Sequence, residues 1–403
     1  MLQSSRLIGG ILLVSGTAIG AGMFAIPVIS SFAGFFPSIF LLVICWFFLF
    51  STAWLLLDVN LFCPGEVNLI SMVNRTLGKL GKGICWIAYL LLLYSLTAAY
   101  IAGSAPLFLK LIESILGVSV PTWIGPFPLL FLFGIFVYLG TSSVDKVNRI
   151  LMLGLIVSYF FLVTFLPSHI EPALLQHVDP KALWIAVPTI VTSFGFHIII
   201  PTLTTYLDHD VKKLRLTIFL GSLIPLMVYI VWEFLVLGVV PLQGDHGLIQ
   251  AWTKGESGIV PIGEIVHNRW ISAAANAFCF FAIVTSFLGV SLSLSDFLSD
   301  GLKMKRFSLG KELACLMTFA PPLVFVYFYP RGFLLALQYA GIFVAILLCI
   351  FPALMAWKLP QYRSYLKKIL LLSVMVIAFF IIALDVLEGL GILKTTIQSY
   401  VST

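Results

Sequence analysis

The sequence predicts an all-α polytopic membrane protein: eleven transmembrane helices in a five-plus-five inverted repeat, with helices 1 and 6 broken and one extra helix at the C-terminal end. Three observations lead there. Of the 403 residues, 61% are apolar and 10% are charged, and the mean hydropathy is +1.10. Soluble domains carry about a quarter charged residues, so a water-soluble globule is excluded. Apolar windows of the length needed to cross a bilayer, ~20 residues, recur along the whole chain. Two of those windows are interrupted by Gly and Pro at matching places.

Taken in order, the first span covers residues 7–33 behind the single early charge Arg6. Its apolar stretch exceeds a signal-peptide core and shows no persuasive cleavage site, so it is read as a retained helix. Span 2 covers 35–58. The loop at 59–82 holds Leu69, Ile70, Val73 and Leu77 at helical spacing, the pattern of a helix lying along the interface over 67–80. Span 3 follows at 83–112, span 4 at 127–142 and span 5 at 147–167, the last two divided by the soft break Thr141-Ser142-Ser143. Span 6 covers 183–207 and span 7 covers 217–240. The Gly-rich loop 241–269 reads either as a gate or as a plain connector. Spans 8 to 11 cover 270–294, 312–329, 332–357 and 368–391. The chain is thus one transmembrane domain, 1–403, with repeat one about 7–167, repeat two about 183–357 and the extra helix about 368–391.

Loop charges support this count. Seventeen of the 23 Lys and Arg fall on the side of the N-terminus, and the other side holds only Lys110, Lys181, Lys254, Arg269, Arg331 and Lys394. A wrong number of spans would scramble that asymmetry, which places the N-terminus in the cytoplasm and the C-terminus outside. The net charge of +6 is scattered singly, so it is a topology signal and no nucleic-acid partner is expected. The six cysteines form no CxxC pair, and Cys45, Cys85, Cys279, Cys315 and Cys349 sit in or beside apolar runs as small hydrophobes. No metal site is expected.

The two interruptions carry the chemistry. Span 1 contains Gly16-Thr17-Ala18-Ile19-Gly20-Ala21-Gly22 and then Pro27. Span 6 contains Thr192-Ser193-Phe194-Gly195-Phe196-His197 and then Pro201. Gly16-x-x-x-Gly20 taken alone also fits close helix packing, but the added Gly22 and Pro27 favour an unwound segment. Spans 1 and 6 open two successive sets of five, and because five is odd the second set is inverted. Paired interrupted helices in two inverted halves mark the midplane site of a secondary transporter. Freed N–H groups at the second half-helix suit a carboxylate, and freed carbonyls at the first suit an ammonium or a cation. A zwitterionic amino acid meets both needs without a charged side chain in either span.

Those same residues resemble the hydroxy and aromatic amino acid permeases of the amino acid–polyamine–organocation group, most closely the tyrosine-specific members. The resemblance rests on residues 16–27 (GTAIGAGMFAIP), 192–197 (TSFGFH) with Pro201, Lys212-Lys213-Leu214-Arg215, residues 221–225 (GSLIP) and residues 286–301 (SFLGVSLSLSDFLSDG), and it extends along nearly the whole chain. It implies a proton-driven importer of Tyr, then Trp or Phe, in the bacterial inner membrane, with a sodium-coupled symporter of the same fold as the alternative. It further implies that Thr17, Gly20, Ala21 and Gly22 clasp the carboxylate, that carbonyls near Ala18, Phe194 and Gly195 receive the ammonium, and that Phe194 and Phe196 pack against the substrate ring. The bulky Ile198-Ile199-Ile200 depart from the small residues expected before Pro201 and would reshape the pocket if they line it; Ser293 and Ser295 are smaller departures, where Gly and an aromatic are expected.

Several residues stay open between two readings. His197 reads as a proton carrier or phenol partner, or as a satisfied core histidine. Glu233, mid-span in helix 7, reads as a proton-coupling group, as a structural pair or as a carboxyl exposed to a cavity. Thr285 and Ser286 in span 8 lie where related transporters place cation-binding hydroxyls, against helix-satisfied hydroxyls as the plainer reading. Tyr94 and Tyr100 are candidates to cover the pocket, and Asp385 and Glu388 to reach the outer interface. No HExxH, GxSxG or paired intramembrane carboxylates point to an enzyme, and no polar stripe or filter repeat points to a channel. No cofactor is expected beyond the proton motive force, or sodium. The partners expected are a small amino acid and the lipid bilayer, with no obligatory protein partner.

Overall fold

The computed structural model describes residues 2–63, 65, 67–117, 119–304, 309–329 and 332–390. Lys305, Arg306, Arg331, Lys394 and the last position of the eleventh span, used in reading the topology, lie outside them.

Among the described residues the regular structure is all helical. Span 1 is α1 (Leu2–Ala18), a turn at Ala21–Phe24 and α2 (Ile26–Ser30). Span 2 is α3 (Phe35–Phe62), and span 3 lies in α4 (Leu69–Leu116). α4 starts at a reciprocal cap, where Asn68 Oδ1 accepts from the Ser71 N–H and Ser71 Oγ accepts from the Asn68 N–H, both at 2.9 Å. The chain leaves helical geometry at Gly78 (φ 80°), which sets the expected amphipathic piece apart from the span proper. Spans 4 and 5 are α5 (Phe127–Leu139) and α6 (Thr141–Phe165). They part at Gly140 rather than at the hydroxyl run, because φ there is 101°, a conformation that glycine adopts without a steric cost.

Span 6 is α7 (Leu183–Ser193) and α8 (Ile200–Tyr206), and span 7 is α9 (Val211–Val239). The Gly-rich loop folds into α10 (Leu248–Lys254) and α11 (Ile259–Ile265). Span 8 is α12 (Arg269–Gly301), longer than its apolar window because Ser and Asp residues continue the helix past the lipid. Span 9 is α13 (Gly310–Phe328). Span 10 joins α14 (Gly332–Val344) to α15 (Phe351–Ala356) through a π-helical turn at Ala345–Ile350, and span 11 is α16 (Tyr365–Gly389).

Ion pairs and hydrogen bonds gather the ends of the odd and even spans on one face. Arg6 before the first span meets Asp208 after the sixth at 2.5 Å. Asp58 at the end of α3 accepts from the Tyr362 hydroxyl at 2.8 Å and pairs with Arg215 of α9 at 3.7 Å. On the opposite face Lys110 of α4 meets Glu264 of α11 at 3.7 Å. We call these the basic face and the opposite face.

The inverted repeat is visible in the packing. The third span of the first set lies along the fifth of the second (α4 on α14), and the third span of the second lies along the fifth of the first (α12 on α6). Likewise α1 packs on α9, and α7 and α8 pack on α3, so each broken helix rests against the second span of the other half. Gly221 permits the first of these contacts, since a Cβ there would sit 2.6 Å from Val14 Cβ. α5, α13 and α16 form the periphery and turn Phe131, Phe328 and Phe379 outward, as lipid-facing surface should. Asp385 does not reach the outer interface as expected; it is buried, 1% exposed, where α16 packs on α14 and α7.

Candidate functional site

α1 stops where its glycines make other contacts possible. The Ile19 N–H still bonds Ser15 O at 2.9 Å, after which Gly20 is extended and the chain bends by 48° into the second half of the span. Gly20 and Gly22 are required by close approach. A Cβ on Gly20 would lie 2.9 Å from Ser286 Oγ of α12, and one on Gly22 would lie 2.8 Å from Ser193 Oγ of α7. Ser286 Oγ also accepts from the Ala21 N–H at 3.4 Å. Gly16, by contrast, meets nothing within 4 Å and lines open space, so Gly16-x-x-x-Gly20 is not a helix-packing motif here.

α7 ends in the same way. The Phe194, Gly195 and Phe196 N–H groups bond Val191, Thr192 and Phe194 carbonyls at 3.3, 3.1 and 3.0 Å, which is turn rather than helix geometry. A further turn at His197–Ile199 leads into α8, with Pro201 in its first turn. The two breaks are joined by a residue that the sequence reading missed. The hydroxyl of Tyr229 of α9, 1% exposed, lies 2.7 Å from Ala18 O and 2.9 Å from Ser193 O, and its single proton is shared between them. A tyrosine inside an apolar span carries no sequence signal that sets it apart from packing tyrosines.

Between the breaks lies a cavity of about 500 Å³, within the range of small-molecule sites. Gly16, Thr17, Ala18, Gly20, Gly22, Thr192, Ser193 and Gly195 form its floor, with Thr285, Ser286 and Ser293 of α12 alongside. Tyr89, Leu92, Leu96 and Tyr100 of α4, Ile198 and Ile199 of the second break, and Val344 and Leu348 of the π-helical span form an apolar and aromatic wall. Ile198 and Ile199 thus do narrow the pocket, while Ile200 is buried away from it. Tyr100 lines the cavity; Tyr94 instead donates to Met317 O at 2.8 Å. No charged side chain is among the lining residues.

The cavity has a direction. Tyr89, Asn148 and Met152 stand early in spans that leave the basic face, and Ser293 stands late in one that returns to it, so the space runs from the breaks toward that face. Asn148 lines it with an Oδ1 that is buried and has no hydrogen-bond partner. The opposite side is closed. Phe24, Trp232 and Phe278 meet edge to face at 5.2 to 5.9 Å and are all buried. Above them the loop is tied to the break by the Gly258 N–H, which donates to Phe24 O at 3.0 Å.

Several expected site residues lie elsewhere. Phe194 turns its ring onto Tyr229 at 5.1 Å, and Phe196 faces His197 at 5.0 Å; both are buried outside the cavity, so neither packs against a ligand there. His197 is buried as well, with Nε2 at 2.8 Å from Thr52 Oγ1 of α3. The turn at the second break rotates these three side chains toward α3 and α9 and leaves Gly195 backbone on the cavity side. Ala21 contributes its N–H to Ser286, while its side chain is buried. Glu233 is fully buried behind the cavity, and both its carboxyl oxygens accept from Ser30 Oγ of α2, at 2.9 and 3.1 Å. The Thr285 hydroxyl lines the cavity yet bonds Ala282 O at 3.1 Å, a helix-satisfied position. No cluster of metal-binding side chains occurs among the described residues.

Comparison with known proteins decides the family. Residues 3–390 match the model of the tryptophan/tyrosine permease family. The chain belongs to that family. It is 32% identical over 381 residues to a tryptophan-specific transport protein of Haemophilus influenzae, covering 90% of this chain and 91% of that one. It is 34% identical over 368 residues to tyrosine-specific transport system 1 of the same organism, covering 90% of each. Among solved structures it is similar to a manganese transporter of Eremococcus coleocola (TM-score 0.60, 15% identity, 97% of this chain and 87% of that one), a likeness of fold alone. The protein is therefore a multi-pass membrane permease of the aromatic amino acid type and not an enzyme.

Proposed function

We propose that this permease imports an aromatic amino acid, tyrosine ahead of tryptophan or phenylalanine, across the bacterial inner membrane by proton symport and alternating access. The basic face is then cytoplasmic. One observation carries the reading: both helix breaks open onto a single cavity walled by aromatic and aliphatic side chains and free of charged ones. Backbone N–H groups at Gly20 and Gly22 receive the α-carboxylate, with Ser286 beside them. The Ala18 and Ser193 carbonyls, at the ends of α1 and α7, receive the α-ammonium. The ring lies against Tyr89, Tyr100, Ile198 and Ile199, on the wall to which the π-helical turn contributes Leu348.

Glu233 is the coupling group in this reading. An ionised carboxylate sealed among apolar groups is costly without a cation, whereas a protonated one is satisfied by Ser30. Tilting α2 outward breaks the Ser30 contact and opens the carboxyl to the opposite face. Proteoliposome uptake that collapses with the proton gradient tests the driving force, and competition by Tyr ahead of Trp and Phe, with Leu weakest, tests the substrate; another order overturns the ranking. Sodium coupling through Thr285 and Ser286 is the second reading, favoured by the seat of Ser286 beside the first break. Replacing sodium with choline distinguishes it: undiminished uptake excludes a sodium site.

A further inference from the structure

We infer that the Tyr229 hydroxyl stands in for the substrate's ammonium, supplying the hydrogen-bond donor to both helix breaks when the carrier crosses the membrane unloaded. Its oxygen lies within hydrogen-bonding distance of Ala18 O and Ser193 O, the terminal carbonyls of α1 and α7. These belong to two different half-helices in opposite halves of the repeat, and one hydroxyl holds both. The ring is seated against Phe194 at 5.1 Å and is 1% exposed, so the hydroxyl is aimed rather than free to rotate away.

The proposal rests on the import reading above and follows from donor counting. A symporter returns empty after each delivery, and during that return its site is closed to water on both sides. A buried carbonyl without a donor is then left unsatisfied at a free-energy cost, and each break exposes such carbonyls. With substrate aboard, an ammonium brings three N–H donors to the same place, and the tyrosine is dispensable. Without it, Tyr229 supplies one O–H that the two carbonyls share in a three-centre bond. Tyr229 is therefore a positioning residue for the empty crossing, behind the cavity wall rather than in contact with the ring of the substrate.

Exchange and net uptake separate the two crossings, because exchange never uses the empty carrier. Full-length protein in liposomes is assayed with labelled tyrosine, once with unlabelled tyrosine inside and once without. Tyr229→Phe keeps the ring and removes only the donor. It is expected to slow net uptake roughly tenfold, about 1.4 kcal/mol of barrier, while exchange stays within about twofold of the unaltered protein. An equal fall in both assays would make Tyr229 a plain strut and overturn the proposal, as would no change in either. Tyr229→Gln, which restores a donor, is expected to recover net uptake relative to exchange. If Tyr229→Phe fails to insert, the ratio in Tyr229→Gln decides, and a ratio as low as tenfold below that of the unaltered protein refutes the role. Absence of any exchange in the unaltered protein would instead refute the import reading.

Discussion

At the scale of single residues, the glycines of the first break give the sharpest prediction. A Cβ on Gly20 already comes within 2.9 Å of Ser286 Oγ, and the two methyl groups of valine add bulk on the cavity side. Gly20→Val is expected to lower substrate affinity at least ~100-fold, about 2.7 kcal/mol, with insertion unchanged; equilibrium binding of tyrosine to the detergent-solubilised protein measures it. Unaltered affinity would move the carboxylate site off this break. His197 gives the complementary case. Its ring bonds Thr52 across to α3 and does not touch the cavity. His197→Gln is expected to reduce stability by roughly 1–3 kcal/mol while the pH dependence of uptake keeps its shape, so a thermal melt and a pH profile on one sample separate the two roles. A flattened profile in a stable variant would return His197 to the proton path.

At the scale of elements, the broken helices were legible in the sequence because Gly and Pro act on the backbone directly. Gly20, Gly22, Pro27, Gly195 and Pro201 tell where a helix stops whatever surrounds it. Which side chains then face the cavity was not legible. Inside a turn such as 194–199 no helical period fixes direction, and contacts with α3 and α9 decide that Phe194, Phe196 and His197 point away. Tyr229 was missed because its importance lies in partners far off in the chain, and Asn148 because only the packed fold places it on the cavity with its Oδ1 unpartnered. The element that closes the opposite face is the meeting of the second half of span 1 with α9, α11 and α12. Trp232 fills the centre of the Phe24–Phe278 contact. Trp232→Ala is expected to weaken that closure by roughly 3–5 kcal/mol. A membrane-impermeant thiol reagent added from the opposite face would then reach a cysteine placed at Thr17, which it cannot reach in a Thr17→Cys single variant. Equal labelling of both variants would show that some other contact seals that face.

At the scale of the whole molecule, the inverted repeat and the direction of the cavity make one joint statement about access. Two halves of the same plan, packed so that each broken helix lies on the other half, suit the alternating-access reading proposed above. In the arrangement described here the cavity runs to the basic face between α4, α6 and α12, and the aromatic trio blocks the other side. Ser293 and Asn148 both stand on the open path. With a cysteine in place of Ser293, an impermeant thiol reagent is expected to label from the basic face and not from the opposite one. Saturating tyrosine should slow that labelling several-fold, because closing over the substrate narrows the path that the reagent must take. The native cysteines leave this readout clean, since five of the six are buried and only Cys315 is half-buried. Protection by tyrosine but not by leucine would place the aromatic side chain against the wall of Tyr89 and Tyr100; equal protection by both would mean that the pocket reads the zwitterion alone and that the ring is recognised somewhere else in the cycle.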